Sequence, residues 1–124
     1  MNEYNFILPW PPSVNTYWRR QGSRYYISKH GQQYRKEVIQ IIKSLNLDIL
    51  TKSRLRIKII AAVPDSRRRD IDNILKCLLD SLVHASFAED DEQFDDIRVI
   101  RAAKVKGGQV EIKIAELSEA ACVA

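Results

Sequence analysis

The sequence predicts an α/β fold of the mixed α+β type, a single domain (residues 1–124) in which two main helices pack against a mixed β-sheet. The length of 124 residues is that of one domain. Two segments place apolar residues at helical spacing, and a segment between them alternates apolar and polar residues as a half-buried strand does. Short β-rich segments lie near both ends, so the predicted order is β-α-β-α-β-β.

The first predicted strand is Tyr4–Leu8, and the prolines after it end it because proline cannot donate to a sheet ladder. The stretch from Trp10 to Ile27 mixes Pro, Ser, Asn, Arg and aromatic residues without periodicity. It is predicted to be a long loop with a short extended piece at Arg24–Ile27. Loops of this length are usually functional or mobile.

The first main helix follows, with Ser28 as its predicted cap and an end before Thr51. Its apolar face consists of Tyr34, Val38, Ile41, Ile42 and Leu45. The segment Arg54–Val63 then alternates cleanly between apolar and basic residues, which predicts a strand with one buried face. Pro64 closes this strand.

The second main helix is predicted from about Asp70 to His84. Its apolar stripe consists of Ile71, Leu75, Leu78, Leu79 and Leu82. Two β-rich segments follow, Ile97–Lys104 and Gln109–Glu116, and the glycine-containing link Val105–Gly108 between them predicts a β-hairpin. The tail after about residue 117 is predicted to be flexible.

Composition excludes several classes of protein. Hydrophobic residues make up 45% and charged residues 29%, an ordinary globular balance. No apolar segment approaches the roughly 20 residues that cross a bilayer, and the absence of a secretory signal predicts a cytoplasmic location. The two cysteines, Cys77 and Cys122, have neither paired nor zinc-like spacing, so no disulfide framework is predicted.

The net charge of +4 conceals an uneven distribution. Residues 89–96 hold six of the 16 acids and none of the 20 Lys and Arg, so the rest of the chain has 20 bases and ten acids. Such a basic surface suits a polyanion. A dense acidic segment would repel DNA unless a cation neutralises it, which suggests a metal site; the alternative is a solvated acidic loop.

The segment 64–76 carries the most chemical information, because three arginines lead directly into two acids at the start of the second helix. Asp70 and Asp72 would diverge on a helix but converge if Asp70 caps it and Asp72 lies in its first turn. If the acidic segment folds back, Asp90 or Asp91 joins them. Three carboxylates without His or Cys make an oxygen-ligand site that suits Mg²⁺ or Mn²⁺.

Such a site has the parts needed for phosphodiester hydrolysis. A divalent ion orients and helps deprotonate a water and stabilises charge on the phosphate during in-line attack. Lys76 lies four residues after Asp72 and can position the phosphate or stabilise developing charge, and Arg67, Arg68 and Arg69 can hold flanking phosphates. Each part also has a structural interpretation: a helix cap, a surface ion pair and a solvated turn.

At these residues the sequence resembles the RusA Holliday junction resolvases. The match runs from Leu8-Pro9-Trp10-Pro11-Pro12-Ser13-Val14-Asn15 to Lys106-Gly107-Gly108, nearly the whole chain. Its most specific part is Arg-Arg-Arg-Asp-Ile-Asp-Asn at 67–73, with Lys76 following and Asp-Asp at 90–91. The Pro-Pro-Ser-x-Asn loop is an independent second match.

The resemblance implies a homodimer that cuts four-way DNA junctions by paired symmetric nicks in recombination and repair, with Mg²⁺ as cofactor and Mn²⁺ as a substitute. It implies that Asp70, Asp72 and Asp91 bind the metal and that Lys76 is essential to catalysis. It also implies two DNA-contacting segments, whose residues are Ser13, Val14, Asn15 and Thr16 in the first, and Ser66, Arg67, Arg68, Arg69 and Asn73 in the second.

Symmetry supports the dimer independently of the resemblance. A four-way junction has approximate two-fold symmetry and needs two cuts, and an isologous dimer supplies two equivalent sites. No small-molecule cofactor and no membrane partner is expected. Two alternatives remain: a non-catalytic module that binds branched DNA, and a metal nuclease for other branched DNA.

Overall fold

The computed structural model describes residues 2–117, and the chain forms two compact units. Cys122 and the tail predicted to be flexible lie outside the described residues. The first unit contains residues 2–10, 51–71 and 90–117, and the second contains Pro11–Leu50 and Asp72–Glu89. In chain order the elements are β1 (Glu3–Pro9), α1 (Val14–Tyr17), β2 (Trp18–Gln21), β3 (Arg24–Ile27), α2 (Lys29–Ser44), β4 (Arg54–Ala62), a 3-10 helix (Ile71–Ile74), α3 (Leu75–His84), a 3-10 helix (Asp91–Gln93), β5 (Phe94–Ala102) and β6 (Gln109–Leu117).

The first unit is built on a four-stranded sheet in the order β1-β6-β4-β5. β4 pairs parallel with β5 and antiparallel with β6, and β6 pairs antiparallel with β1. The sheet is therefore mixed, and the predicted fold class is confirmed. The parallel pair requires a long crossover between β4 and β5, and α3 lies within that crossover.

The predicted hairpin of the last two strands is wrong, because β4 lies between β5 and β6. The link 103–108 passes the end of β4, where the Val105 N–H donates to the carbonyl of Val63 at 3.0 Å. Gly108 allows this path: its φ is +75°, and a Cβ there would lie 2.8 Å from the Cβ of Trp10. The turn with Gly107 and Gly108 therefore connects two strands that are separated by β4, and it does not form a hairpin.

Burial along β4 follows the predicted alternation, since Leu55, Ile57, Ile59 and Ala61 are buried while Arg56 is exposed. The strand prediction for this segment is confirmed. β6 repeats the pattern with Val110, Ile112 and Ile114 buried. Alternation of this kind gives the sheet one buried face, as expected when successive side chains point to opposite sides.

The second unit contains the helices and a two-stranded sheet of β2 and β3. α2 begins after Ser28, whose side chain accepts a hydrogen bond from the Gly31 N–H at 3.1 Å, so the predicted cap is confirmed. α2 packs against α3. The largest buried side chains of this unit are Tyr17, Val38, Ile42, Leu78, Leu82 and Phe87.

The prediction of a long loop over Trp10–Ile27 is wrong for its middle part. Val14–Tyr17 forms the short helix α1, and β2 pairs antiparallel with β3, whose extended conformation was predicted. Elements of four residues are too short to show a hydrophobic period. In addition, five of the six residues 19–21 and 24–26 of this hairpin are exposed arginines or tyrosines.

The second main helix differs from its prediction at the start. Residues 71–74 form a 3-10 helix, and α3 begins only at Leu75 with Ile74 in the N-cap position. Asp70 therefore precedes the 3-10 helix. The prediction that Asp70 caps the second main helix is wrong, because α3 begins after Ile74. The tighter turn also replaces the continuous α-helix on which the shared face of Asp72 and Lys76 had been based.

Within residues 2–117 no helix combines the length and the apolar character needed to cross a membrane.

Candidate active site

Asp70 and Asp72 lie at the point where the chain passes from the first unit to the second. Asp70 is the exposed residue before the 3-10 helix, and Asp72 is an exposed residue within its first turn. The sequence had placed one acid before a helical turn and the other inside it, and the chain has this local arrangement. Within residues 2–117, neither carboxylate accepts a hydrogen bond from an Arg or Lys of its own unit, unlike Asp65 and Asp80, described below.

Lys76 is exposed in the first turn of α3, in the same unit as Asp72. Its positive charge contributes to lowering the pKa of Asp80, four residues later on the helix. Lys76 and Asp80 are therefore held in fixed register by α3, and Asp72 precedes them in the 3-10 helix.

Asp90 and Asp91, which sequence chemistry left as alternatives, have different surroundings in the first unit. Asp90 caps the 3-10 helix: its carboxylate accepts from the Glu92 N–H at 3.2 Å, and its own N–H donates to the Gln93 side chain at 2.8 Å. This reciprocal arrangement is a capping box. The Asp90 carboxylate thus accepts a hydrogen bond from the backbone of the 3-10 helix that it caps. Asp91 is the first residue of that helix.

Gln93 fixes this acidic segment to the rest of its unit. Its side chain is buried, and the amide nitrogen donates to the carbonyls of Thr51 and Ser53, both at 2.9 Å. The segment is therefore an ordered turn, in which Glu89, Asp90 and Glu92 remain exposed to solvent. The spacing Asp90-x-x-Gln93 is a sequence signature of a helix start. Interpretation of these acids by their charge alone did not predict the cap.

Arg69 is held by an internal partner, Asp65. The guanidinium donates to both carboxylate oxygens, at 2.5 and 3.1 Å, and the Arg67 N–H donates to the same carboxylate at 2.9 Å. The hydrogen bonds from Arg69, followed by that from the Arg67 backbone, hold the pKa of Asp65 well below its usual value. Arg69 therefore shapes the turn.

The other polar residues of this turn are more open. Arg68 is exposed, and the Arg67 side chain is 80% exposed although it lies 3.4 Å from Asp65. Ser66 accepts a hydrogen bond from Lys104 at 2.7 Å. Of the three predicted phosphate contacts, Arg67 and Arg68 present the freer guanidinium groups.

The predicted DNA-contacting residues of the second unit lie on α1 and on the 3-10 helix. Ser13 precedes α1 and its hydroxyl lies 3.2 Å from that of Thr16, while Asn15 is exposed between them. Asn73 lies in the same 3-10 turn as Asp72. Val14 is partly exposed at the first position of α1.

Sequence reasoning missed an ion-pair cluster that joins the three helices of the second unit. Asp80 on α3 accepts hydrogen bonds from the hydroxyl of Tyr17 on α1 and from Arg35 on α2, and Arg35 also donates to the Tyr17 oxygen at 2.8 Å. Burial raises the pKa of Asp80, but the bonds from Tyr17 and Arg35 outweigh it and the pKa is lowered. Burial and the bond to Asp80 raise the pKa of Tyr17.

The chain is similar to known nucleases over most of its length. The endodeoxyribonuclease RusA family model matches residues 9–115. A crossover junction endodeoxyribonuclease of Enterobacteria phage HK97 is 76% identical over 117 residues, which cover 94% of this chain and 98% of the relative. Those of Shigella sonnei (strain Ss046) and Enterobacteria phage 82 are each 45% identical, and both matches cover the same shares of the two chains.

The chain belongs to the endodeoxyribonuclease RusA family. The family match includes Asp70, Asp72, Lys76 and Asp91 and both predicted DNA-contacting segments. The resemblance seen in the sequence is confirmed, and with it the prediction of a nuclease that cuts within DNA at crossover junctions. A RusA-family nuclease generally depends on a divalent metal ion.

The metal site itself stays a prediction. Asp70 and Asp91 belong to the first unit of this RusA-family chain and Asp72 to the second. In the described part of the chain, no three His, Cys, Asp or Glu side chains form a group that could hold a metal ion. The donor set nevertheless fits the chemistry, because three carboxylates supply the hard oxygen ligands that Mg²⁺ prefers.

Proposed function

We propose that this RusA-family nuclease resolves four-way DNA junctions as a homodimer, by Mg²⁺-dependent hydrolysis that places paired symmetric nicks. The family match over residues 9–115 carries the proposal, because it includes every acid and the lysine of the predicted site. The relatives are named crossover junction endodeoxyribonucleases. The proposal includes a cytoplasmic location, and action on DNA supports it.

Asp70, Asp72 and Asp91 are the residues that would hold Mg²⁺, or Mn²⁺ in its place. When bound, the ion supplies a Lewis acid that lowers the pKa of a water and stabilises charge on the scissile phosphate. The family resemblance selects Asp91 over Asp90, whose carboxylate accepts from the Glu92 N–H in the capping box. The cap orients the turn that presents Asp91.

Lys76 acts on the phosphate. Its ammonium group is exposed at the start of α3, one helical turn before the Asp80 carboxylate that anchors this helix to Arg35. A fixed positive charge here stabilises the negative charge that develops on the phosphate oxygens and on the leaving oxygen. Because lysine is a point charge on a flexible stem, its effect depends on α3 staying in place.

Flanking phosphates are bound by the basic turn and by α1. The exposed Arg67 and Arg68 contact the phosphates of the DNA backbone. Arg69 stabilises the turn through its ion pair with Asp65. Ser66 and Asn73 extend this contact, and Ser13, Val14, Asn15 and Thr16 form the second one. Contacts of this kind position the enzyme on DNA without reading its sequence.

The proposal is tested by incubating the purified protein with a synthetic mobile four-way junction and with a linear duplex of matched sequence, with and without Mg²⁺. We expect symmetric pairs of nicks in the junction only, and only when Mg²⁺ is present. Equal cutting of a flap substrate, included as a third DNA, would instead indicate a nuclease for other branched DNA. Equal cutting of the linear duplex, or tight junction binding without cutting in Mg²⁺ or Mn²⁺, would contradict the proposal.

A further inference from the structure

The β2–β3 hairpin, residues 18–27, is the most strongly basic projection of the second unit. The stretch 11–36 contains six Lys and Arg and no Asp or Glu. Three of the six, Arg19, Arg20 and Arg24, lie on the hairpin and are exposed. None of the predicted DNA-contacting residues lies on this element, so the functional site described above does not account for it.

The hairpin arginines differ in their partners from the arginines that pair with carboxylates, although Arg68, Arg98 and Arg101 also form no ion pair within residues 2–117. Elsewhere Arg35, Arg54, Arg56 and Arg69 each form an ion pair with a carboxylate of their own unit. Among residues 2–117 no carboxylate pairs with an arginine of the hairpin. Their charge is therefore directed at solvent, where it attracts an external polyanion.

Two tyrosines lie between these arginines and are also exposed. Tyr25 is 67% exposed and Tyr26 47% exposed, a large aromatic surface for so short an element. The strand register places Arg20 opposite Tyr25 and Arg19 opposite Tyr26. The Arg20 guanidinium lies 5.7 Å from the centre of the Tyr25 ring. Each face of the hairpin thus presents a tyrosine beside a cation.

The base of the hairpin is fixed, so these side chains are presented by an ordered element. Ser28 donates from its N–H to the Tyr17 carbonyl at 2.8 Å and from its hydroxyl to the Thr16 carbonyl at 2.5 Å. Gly31 lets α2 approach closely, since a Cβ there would lie 2.6 Å from Ile27 and 2.7 Å from Tyr17. The tip turns at Gly22, whose φ of +62° suits a two-residue turn.

We propose that the hairpin is a further DNA-binding element, in which the arginines bind phosphates and Tyr25 and Tyr26 stack on bases at the point of strand exchange. The inference rests on the proposed junction substrate. Proteins bind unpaired or unstacked bases with surfaces that combine cations, which contact phosphates, and aromatic rings, on which the bases stack. Bases inside a continuous duplex are not accessible to such rings, whereas stacking is interrupted where four strands exchange.

The test of stacking compares the double variant Tyr25→Ala/Tyr26→Ala with Tyr25→Phe/Tyr26→Phe, which keeps the rings. Binding of a fluorescent four-way junction and of the matched duplex is measured by anisotropy in EDTA, so that no DNA is cut. We expect the alanine variant to lose at least about 10-fold in junction affinity and less than about 2-fold in duplex affinity, with the phenylalanine variant close to wild type. Equal losses on both DNAs, or no loss, would overturn stacking at the exchange point.

The phosphate contacts are tested by the salt dependence of junction binding. Arg19→Gln and Arg24→Gln are each expected to reduce the slope of log affinity against log salt by about 0.9, as one lost phosphate contact does. Lys43→Gln, an exposed charge near the end of α2, is the matched control and should leave the slope unchanged. Unchanged slopes in both arginine variants would remove the hairpin from the DNA-binding surface.

The failure of this inference is distinguishable from that of the proposed function. If wild type prefers and cuts junctions while the hairpin variants behave like it, the hairpin inference is wrong and the junction nuclease stands. If wild type binds junction and duplex equally and cuts neither selectively, the proposed substrate is wrong, and stacking at an exchange point is wrong with it.

Discussion

Replacing Asp70 by Asn is expected to reduce junction cutting by at least about 1,000-fold, because it removes a charged metal ligand worth several kcal/mol to the transition state. The amide keeps the size and shape of the side chain, and Asp70 is exposed. Junction binding in EDTA should therefore be unchanged or slightly tighter, since one negative charge that repels DNA is lost. Single-turnover cleavage and anisotropy measure the two quantities separately.

The matched control is Asp48→Asn, which removes a carboxylate that is equally exposed but lies in the second unit between α2 and β4. It should cut junctions at the wild-type rate. If Asp70→Asn lost binding and cutting in the same proportion, its role would be in DNA contact. If Asp48→Asn were as inactive as Asp70→Asn, the effect would be general and the assignment of Asp70 as a ligand would fail.

The variant Asp80→Ala is expected to lower the free energy of unfolding by about 2–3 kcal/mol. Removal of one partner from a buried ion pair costs about 3–5 kcal/mol, and the cost is lower here because the side chains of Arg35 and Asp80 are 21% and 25% exposed. The change removes the carboxylate that accepts from both Arg35 and the Tyr17 hydroxyl, and leaves Arg35 only its bond to the Tyr17 oxygen. Urea denaturation followed by circular dichroism measures the loss.

The pH dependence of this loss tests its electrostatic origin. The pKa of Asp80 is lower in the folded chain than its ordinary value of 3.8, so its stabilising effect is present above that value and is lost as the pH falls through the folded pKa. The difference between wild type and Asp80→Ala should therefore be constant near neutral pH and shrink below about pH 4. A difference that did not shrink would indicate lost packing and not lost charge.

Asp48→Ala, at an exposed position, is expected to change stability by less than about 0.5 kcal/mol and serves as the reference. Because Asp80 lies on the helix that carries Lys76, the Asp80 variant should also cut more slowly under folding conditions. An Asp80→Ala protein as stable as the Asp48→Ala protein would show that the cluster does not hold the three helices together.

Local periodicity predicted the long elements well. β4 alternates between buried aliphatic residues and basic residues, and α2 combines a helical stripe with the Ser28 cap, so each element is determined by residues close together in sequence. The 3-10 start of the second helix was not predictable in this way. Its apolar stripe begins at Ile71, yet the first four residues adopt the tighter turn before α3.

Strand order could not be read from local sequence. The segments of β5 and β6 and the turn at Gly107 and Gly108 look like a hairpin, and only the insertion of β4 between the two strands shows otherwise. Pairing with a strand about 40 residues away, such as Lys58 with Arg98, is a non-local event. Short elements such as α1 and β2 were missed because four residues carry no measurable period.

The candidate site was predicted in a different way. Residue types and spacing indicated an oxygen-ligand metal site, and the family resemblance chose Asp91 over Asp90. The structure shows a capping role for Asp90, and the choice of Asp91 stays a prediction. The cluster of Tyr17, Arg35 and Asp80 was not predictable, because its members are 18 to 63 residues apart in sequence.

The assigned metal site is tested most directly by the affinity of the full chain for Mn²⁺, measured by the relaxation of water protons. We expect Mn²⁺ to bind to the wild-type chain. Each of the variants Asp70→Asn, Asp72→Asn and Asp91→Asn should weaken this binding by at least about 10-fold, since each removes a charged ligand. Asp90→Asn and Asp48→Asn should retain it. Wild-type affinity in all three ligand variants, or loss in Asp90→Asn but not in Asp91→Asn, would contradict the assigned metal site.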